Sequence, residues 1–466
     1  MSLLPNELRQ VVPLRGTPDD TNALADGFRP TDVGNASRLI AASSGRLRFV
    51  AEWSKWLVYT NGVWIIDSSE ALVTERAKDV ARRLFQLAAT LPSSQRDDVW
   101  RFAMKCEQAG SITSMLRLAR GIPGVLVDVK ELDADPWLLN VLNGTVDLRT
   151  GRLQNHDPDD LQTMQAPVIF DERAVAHRWL HAVERWQPDP EVRAMLQRAV
   201  GTGITGQPIE NLFVNVGTGG NGKSKFFGAI TDVLGPFCVT PHKSLLVAGK
   251  HEQHPTHVAS IFRARLLIAP ETSQDDRLDE ELVKNLTGGD MLRARRMRED
   301  EWSFAPTHTA FVHSNYKPRI RGVDEGIWRR VRLIPWSVTI PTEERDDHLA
   351  EKLRAESSGV LNWLIEGVLD YQRRGLAEPD SVLQATNAYR HDEDHLGKFI
   401  SEMLIIDDTA SISASQLREI YESWCNDAGE NPWTTQRFGR DLTARGYDGA
   451  RIGKPQVRHW LGLRAK

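Results

Sequence analysis

The stretch Gly217-Thr218-Gly219-Gly220-Asn221-Gly222-Lys223-Ser224 places four glycines, a lysine and two hydroxyls within eight residues. It follows the apolar run Leu212 to Val216 and precedes a segment in which Phe226, Phe227, Ile230 and Leu234 recur at helical spacing. A glycine-rich turn between strand and helix lets successive backbone N–H groups converge on phosphate oxygens, and the helix N-terminus adds positive potential. Lys223 is then the cation for the β- and γ-phosphates of ATP, and Ser224 a ligand for Mg²⁺. A plain glycine turn is the alternative, and the strand before and helix after it disfavour that reading.

Such a cradle serves kinases, GTPases and motors alike, so other residues must choose. Arg265-Leu-Leu-Ile-Ala-Pro-Glu271 reads as a second buried strand ending in a carboxylate, 48 residues after Lys223. A carboxylate there belongs to the metal shell and polarises the attacking water. Pro270 stands where many such enzymes carry a second acid, so Glu271 serves both roles or Asp275 or Asp276 assists. Thr309-Ala-Phe-Val-His-Ser-Asn315 is a third strand, ending in an amide able to bond a γ-phosphate or place a water. Arg329 and Arg330 follow Gly326-Ile-Trp328, and one of them has the character of an arginine finger. Arg293, Arg295, Arg296 and Arg298 follow Gly288-Gly289 on a hairpin-like segment and suit phosphate-backbone contacts. Taken singly, each is also explained as a surface glutamate, a turn asparagine or a solvated arginine face. Their order along the chain favours one assembled site.

Gly217 to Ser224, Glu271, Leu286 to Arg298, Asn315 and Gly326 to Arg330, in that order, resemble superfamily 3 helicases. The resemblance is to the phage and plasmid primase-helicase group related to the poxvirus primase-helicase. Trp137 to Gly151 is similar to the entry segment of that group, and Gly359 to Tyr371 and Gly397 to Gly446 to its C-terminal part, so the likeness covers roughly residues 35 to 450. It implies an AAA+-like ATPase core and a hexameric ring around single-stranded DNA, fuelled by Mg-ATP and moving 3′ to 5′. It also implies that Glu271 is the acid, Asn315 the sensor, and the arginine segment the DNA-contacting hairpin. Group members that are primases carry a polymerase-like domain first. About 125 residues are too few for one, and Asp133-Ala-Asp135 has no companion histidine, so no primase activity is expected. A separate primase or polymerase is then an expected partner, together with single-stranded and forked DNA.

The elements that must position these residues follow from pattern. At 466 residues the chain exceeds one core. Residues 1–125 read as a mixed α/β domain, with a strand-like piece from Leu57 to Ile66 and an amphipathic helix from Ala71 to Leu91. Residues 126–205 form the entry segment, with turns at Asn143-Gly144 and Thr150-Gly151, and a helical collar from about Val175 to Val200. Residues 206–340 are the ATPase core, a parallel sheet covered by helices. Residues 341–394 are a helical lid or connector carrying Leu361, Leu364, Ile365 and Val368. Residues 395–466 read as a winged helix that binds DNA or a partner. In it Ser413 caps a helix with the stripe Leu417, Ile420, Tyr421 and Trp424, a second helix runs from Thr435 to Arg445, and a hairpin follows.

Hydrophobic residues are 41% and charged residues 26%, the composition of a folded globular chain. A net charge of −5 means that any nucleic-acid contact rests on local arginine. Cys106, Cys238 and Cys425 match neither a disulfide framework nor a zinc site. His251, His254 and His257 recur every third residue, but extended backbone would point alternate members apart. Without a signal peptide or apolar span, the expected place is the cytoplasm of a bacterial host, with no membrane partner. The expected role is replication of a phage, prophage or plasmid. The rival is a nucleotide-switched origin-binding initiator that assembles without unwinding and uses residues 395–466 for duplex DNA.

Overall fold

The computed structural model of the chain describes residues 24–248, 255–273, 276–297, 300–320, 325–454 and 456–466. Its centre is a five-stranded sheet in the order Val331–Pro335, Leu212–Val216, Thr309–Ser314, Leu266–Ala269 and Cys238–Val239, with every pairing parallel. Alternate residues of each strand enter opposite cores. Phe213, Phe311, Ile268 and Ile334 face one, whereas Val214, Val312, Leu267 and Leu333 face the other. Burial on both faces explains why these strands read as continuous apolar runs.

The first core is covered by the helices His177–Trp186, Pro190–Gly203, Lys223–Leu234 and Ser357–Arg374. The expected single collar helix is two, because Pro188 interrupts it and Asp189 caps the second by accepting Glu191 N and Val192 N. Of the segment expected to form a lid or connector, the helix Ser357–Arg374 packs inside this wall. A Cβ on Gly201 would lie 2.7 Å from the Gly367 carbonyl carbon, so Pro190–Gly203 and Ser357–Arg374 touch backbone to backbone.

Ahead of the core, four helices pack on a four-stranded sheet ordered Val63–Asp67, Lys55–Thr60, Leu47–Val50 and Leu126–Val127. The single strand-like piece from Leu57 to Ile66 is a hairpin. Thr60 pairs with Val63, and Asn61 and Gly62 both have positive φ, the geometry of a two-residue turn matching strand twist. A second small sheet, Leu138–Val141, Gly144–Asp147 and Arg152–Gln154, adjoins the core. Buried Arg265 fastens it by donating to the carbonyls of Leu138 and Ile204 at 2.8 and 3.0 Å.

The C-terminal unit holds the helices Ala414–Asp427 and Thr435–Ala444, with Ser413 accepting from Gln416 N as its cap role requires. The hairpin Gly449–Ile452 and Val457–Ala465 is extended by a strand absent from the sequence reading, Leu404–Ser413. Its polar centre, Asp407-Asp408-Thr409, hides it. It is an edge strand paired on one side, and its register shifts between Ile406 and Ser411.

No described helix is long and apolar enough to cross a membrane.

Candidate functional site

The glycine loop joins the Leu212–Val216 strand to the Lys223–Leu234 helix, and Gly219, Gly220 and Gly222 take φ of 96°, 64° and 86°. Backbone in that region favours glycine. Space demands it as well. A Cβ on Gly217 would meet Asn221 Nδ2 at 2.2 Å, and one on Gly222 would meet the Trp186 ring at 2.3 Å. No side chain caps the Lys223–Leu234 helix at its N-terminus, so its first amides face the cleft without an internal anion.

Lys223 is only 4% exposed. Its Nζ donates to Gly217 O at 2.7 Å, Asn221 Oδ1 at 3.1 Å and Asn315 Oδ1 at 3.4 Å. Burial pushes its ammonium down to about 8, against an opposing pull from Glu271. Asn315 directly follows Thr309–Ser314, and Glu271 lies two residues beyond Leu266–Ala269. The two strand ends are locked together, with Thr272 Oγ1 donating to Ser314 Oγ at 2.8 Å and Ser314 Oγ donating to Thr272 O at 3.0 Å. Each locked residue is one position from Glu271 or Asn315.

Around these residues is a cleft of about 750 Å³ lined by Gly219 to Lys225, Glu271 and Asn315. Six of its lining residues are Lys or Arg against four Asp or Glu, a bias that favours an anion. Several of its walls went unread in the sequence. Trp186 stands over Gly222. His313 stacks on Phe227 at 5.5 Å, and burial followed by the Lys223 charge lowers its pKa. The segment after the last core strand folds over the glycine loop, Trp336 N donating to Val216 O and Ile340 N to Gly220 O. It carries Arg345, whose Nη2 would sit 2.6 Å from a Cβ on Gly220, and Glu344, which pairs with Arg185. In sequence, Thr342-Glu-Glu-Arg345 is an ordinary charged loop, and nothing in its composition marks it.

The arginines lie away from this cleft within one chain. Arg293 and Arg295 are exposed on Leu292–Arg295, which pairs antiparallel with Glu301–Phe304, while Leu292 and Ala294 point inward. Arg296 is exposed and holds its guanidinium 4.9 Å from the Trp302 ring centre. Arg298 and Asp275 lie outside the described residues, and Asp276 pairs with Lys243. Arg330 is buried, donating to Gly326 O at 2.7 Å and lying 3.8 Å from Glu210, whereas Arg329 is exposed. Trp328 is buried against Tyr389. Asp133 pairs with Arg263 and Asp135 with Arg149. His257 stacks on His242 at 4.4 Å, and His251 and His254 lie outside the described residues.

Residues 36–196 match the family model described as D5 N terminal like. The protein named "Putative helicase L207/L206" of Acanthamoeba polyphaga mimivirus is 26% identical over 417 residues, 79% of this chain and 43% of that protein. The first part of this chain thus resembles the D5 N terminal like family, and its relatives carry the names of putative helicases and primases. "Putative helicase 022R" of Frog virus 3 is 23% identical over 290 residues, 58% of this chain and 30% of that protein. "Putative primase C962R" of African swine fever virus (strain Badajoz 1971 Vero-adapted) is 23% identical over 340 residues, 64% and 34%. The chain thus spans less than half the length of the relatives it matches. A second model, described as a family of unknown function (DUF5906), matches residues 215–330, the interval from the glycine loop to Arg330. Among solved structures, the A form apo structure of the NrS-1 C terminal region shares the fold with a TM-score of 0.51. Identity is 10%, over 91% of this chain and 97% of that one.

Proposed function

We propose that this chain is an ATP-driven DNA helicase subunit acting in the replication of a viral or plasmid-like genome. One observation carries the reading: the glycine loop, Lys223, Glu271 and Asn315 converge at the ends of three adjacent parallel strands, in one basic cleft. In this reading the sheet is an AAA+-like core and residues 217–224 are its P-loop. The positive-φ glycines leave room for phosphate against the backbone, and Lys223 carries the charge. Ser224 and Glu271 are hard oxygen donors of the kind that hold Mg²⁺, which when bound neutralises developing phosphate charge. Glu271 also orients the attacking water and accepts its proton, and Asn315 holds the γ-phosphate end.

Arg330 is committed inside its own chain, so Arg329 is the better finger, presented to a neighbouring subunit of a hexameric ring. Arg293, Arg295 and Arg296 line the path of single-stranded DNA, travelled 3′ to 5′. In this reading the helices and hairpin of residues 395–466 serve as a winged helix. No primase activity is assigned to these residues. Strand displacement on a 3′-tailed fork tests the proposal, with Lys223→Ala expected to lose it while folding normally. Nucleotide turnover indifferent to DNA overturns the motor reading.

A further inference from the structure

The helix Asp380–Glu393 packs along the last core strand, burying Val382, Thr386 and Tyr389 in one stripe, with Leu333 N donating to Thr386 Oγ1 at 3.0 Å. Its C-terminal turns hold two separate pieces of the chain. On one side Tyr389 donates its hydroxyl to Pro318 O, Asp392 accepts from Lys317 Nζ at 2.9 Å, and Glu393 accepts from Ile320 N at 3.0 Å. Those three partners follow Asn315 by two to five positions. On the other side Arg390 donates to both carboxylate oxygens of Glu325, at 2.6 and 3.3 Å, and the Tyr389 ring meets buried Trp328 edge-on at 5.2 Å.

Glu325 and Trp328 begin and end a single helical turn, and Arg329 comes next, its N–H donating to Glu325 O at 3.0 Å. One isolated turn does not set its own direction, because fixing its dihedrals costs more than its few hydrogen bonds return. Its contacts set it instead: Ile327 and Trp328 in the core, and Glu325 on Arg390. The side chains of Arg390 and Glu325 are 40% and 73% exposed, and ion pairs so open to water add little stability. A two-bond guanidinium–carboxylate pair does fix geometry. Here it fixes the start of the turn from which exposed Arg329 projects.

We propose that Arg390 is a positioning residue: through Glu325 it aims Arg329 at the nucleotide of a neighbouring subunit. The inference rests on the reading of Arg329 as an arginine finger. Because the same helix is anchored on Lys317 to Ile320, just past Asn315, that aim is referenced to the chain's own nucleotide cleft. The test is steady-state ATP turnover with DNA present, alongside thermal melting, for Arg390→Glu, Glu325→Arg, the double reversal, and Arg329→Ala as the reference. Each single reversal should lower kcat by up to about 10²-fold, the scale of a misplaced group, while KM and melting temperature stay close to the parent. The double reversal rebuilds the pair with its charges exchanged and should regain most of kcat. Mixing Arg390→Glu with Lys223→Ala subunits should also restore turnover, since the first keeps a sound glycine loop and the second a well-aimed arginine. Turnover kept in Arg329→Ala would remove the finger reading and this inference with it. Turnover lost in Arg329→Ala but kept in Arg390→Glu would overturn the inference alone. So would a double reversal no better than the single ones, no recovery on mixing, or melting that falls in step with turnover.

Discussion

Lys223 Nζ donates to Asn315 Oδ1 at 3.4 Å, joining residues 92 positions apart, one opening the helix Lys223–Leu234 and the other just past the strand Thr309–Ser314. The bond makes the loop lysine and the strand-end amide one polar unit, so a change at either is felt at both. Replacing Asn315 by Ala should leave nucleotide affinity within a few-fold and lower turnover by roughly 10²-fold, the scale of losing one preorganised polar contact. Equal losses in binding and turnover would show that Asn315 only supports the loop.

The Lys223 ammonium is depressed from 10.5 to about 8 by burial. The folded chain therefore holds less of that proton than the unfolded chain between pH 8 and 10.5, and this site raises stability as pH climbs through that window. Below pH 8 the buried charge is a net cost. Lys223→Met should accordingly melt higher than the parent at pH 7 without nucleotide, and the difference should shrink toward pH 10. Thermal melts at several pH values decide it, and a lower melting temperature for the variant at pH 7 would refute it.

Thr272 and Ser314 exchange hydrogen bonds in a buried position that aligns Glu271 with Asn315. Thr272→Val removes one of the two hydrogen bonds that the Ser314 hydroxyl accepts, the other coming from Tyr316 N, and should cost about 0.5–1.5 kcal/mol in denaturant unfolding. Adding Ser314→Ala takes partners from Thr272 O and Tyr316 N as well, so it should lower stability further and depress turnover, because the strand ends are no longer held. Full recovery of turnover in the double variant would mean that the alignment has another source.

Gly222 combines a φ of 86° with contact to Trp186. Gly222→Ala should lose roughly 1–2 kcal/mol to backbone strain alone, besides the clash with the ring. Trp186→Leu in the same chain should relieve the clash but not the strain, so unfolding measurements should show partial rescue. Complete rescue would contradict the backbone part of the account.

Arg329 and Arg330 should separate cleanly. Arg330→Ala removes the donor to Gly326 O from a buried site and should lower the melting temperature by several degrees. Arg329→Ala should leave melting unchanged and abolish turnover. Mixing Arg329→Ala with Lys223→Ala subunits should restore part of it, since one supplies the loop and the other the arginine. No recovery at any ratio would exclude a site shared between subunits.

Residues close together in sequence were legible because local physics binds them. Gly217 to Ser224 could be read as strand, turn and helix, since the φ values and the apolar spacing belong to those residues themselves. Leu361, Leu364, Ile365 and Val368 gave away their helix in the same manner, but not its place. A periodic stripe reports that a helix buries a face and is silent about which surface it buries it against, so the place of Ser357–Arg374 within the wall could not be read from it.

Distance along the chain explains the rest. The sequence by itself determined the glycine-rich turn between strand and helix, the apolar strands and the polar residues that end them, each set by neighbours a few positions away. Only the tertiary structure decided that Trp186, His313 and Arg345 share the cleft with Lys223, that Arg330 is spent on Gly326, and that Arg390 grips Glu325. Those relations arise from strand order, helix placement and close backbone approach, which depend on the packing of the whole chain and leave no trace in residue type or spacing.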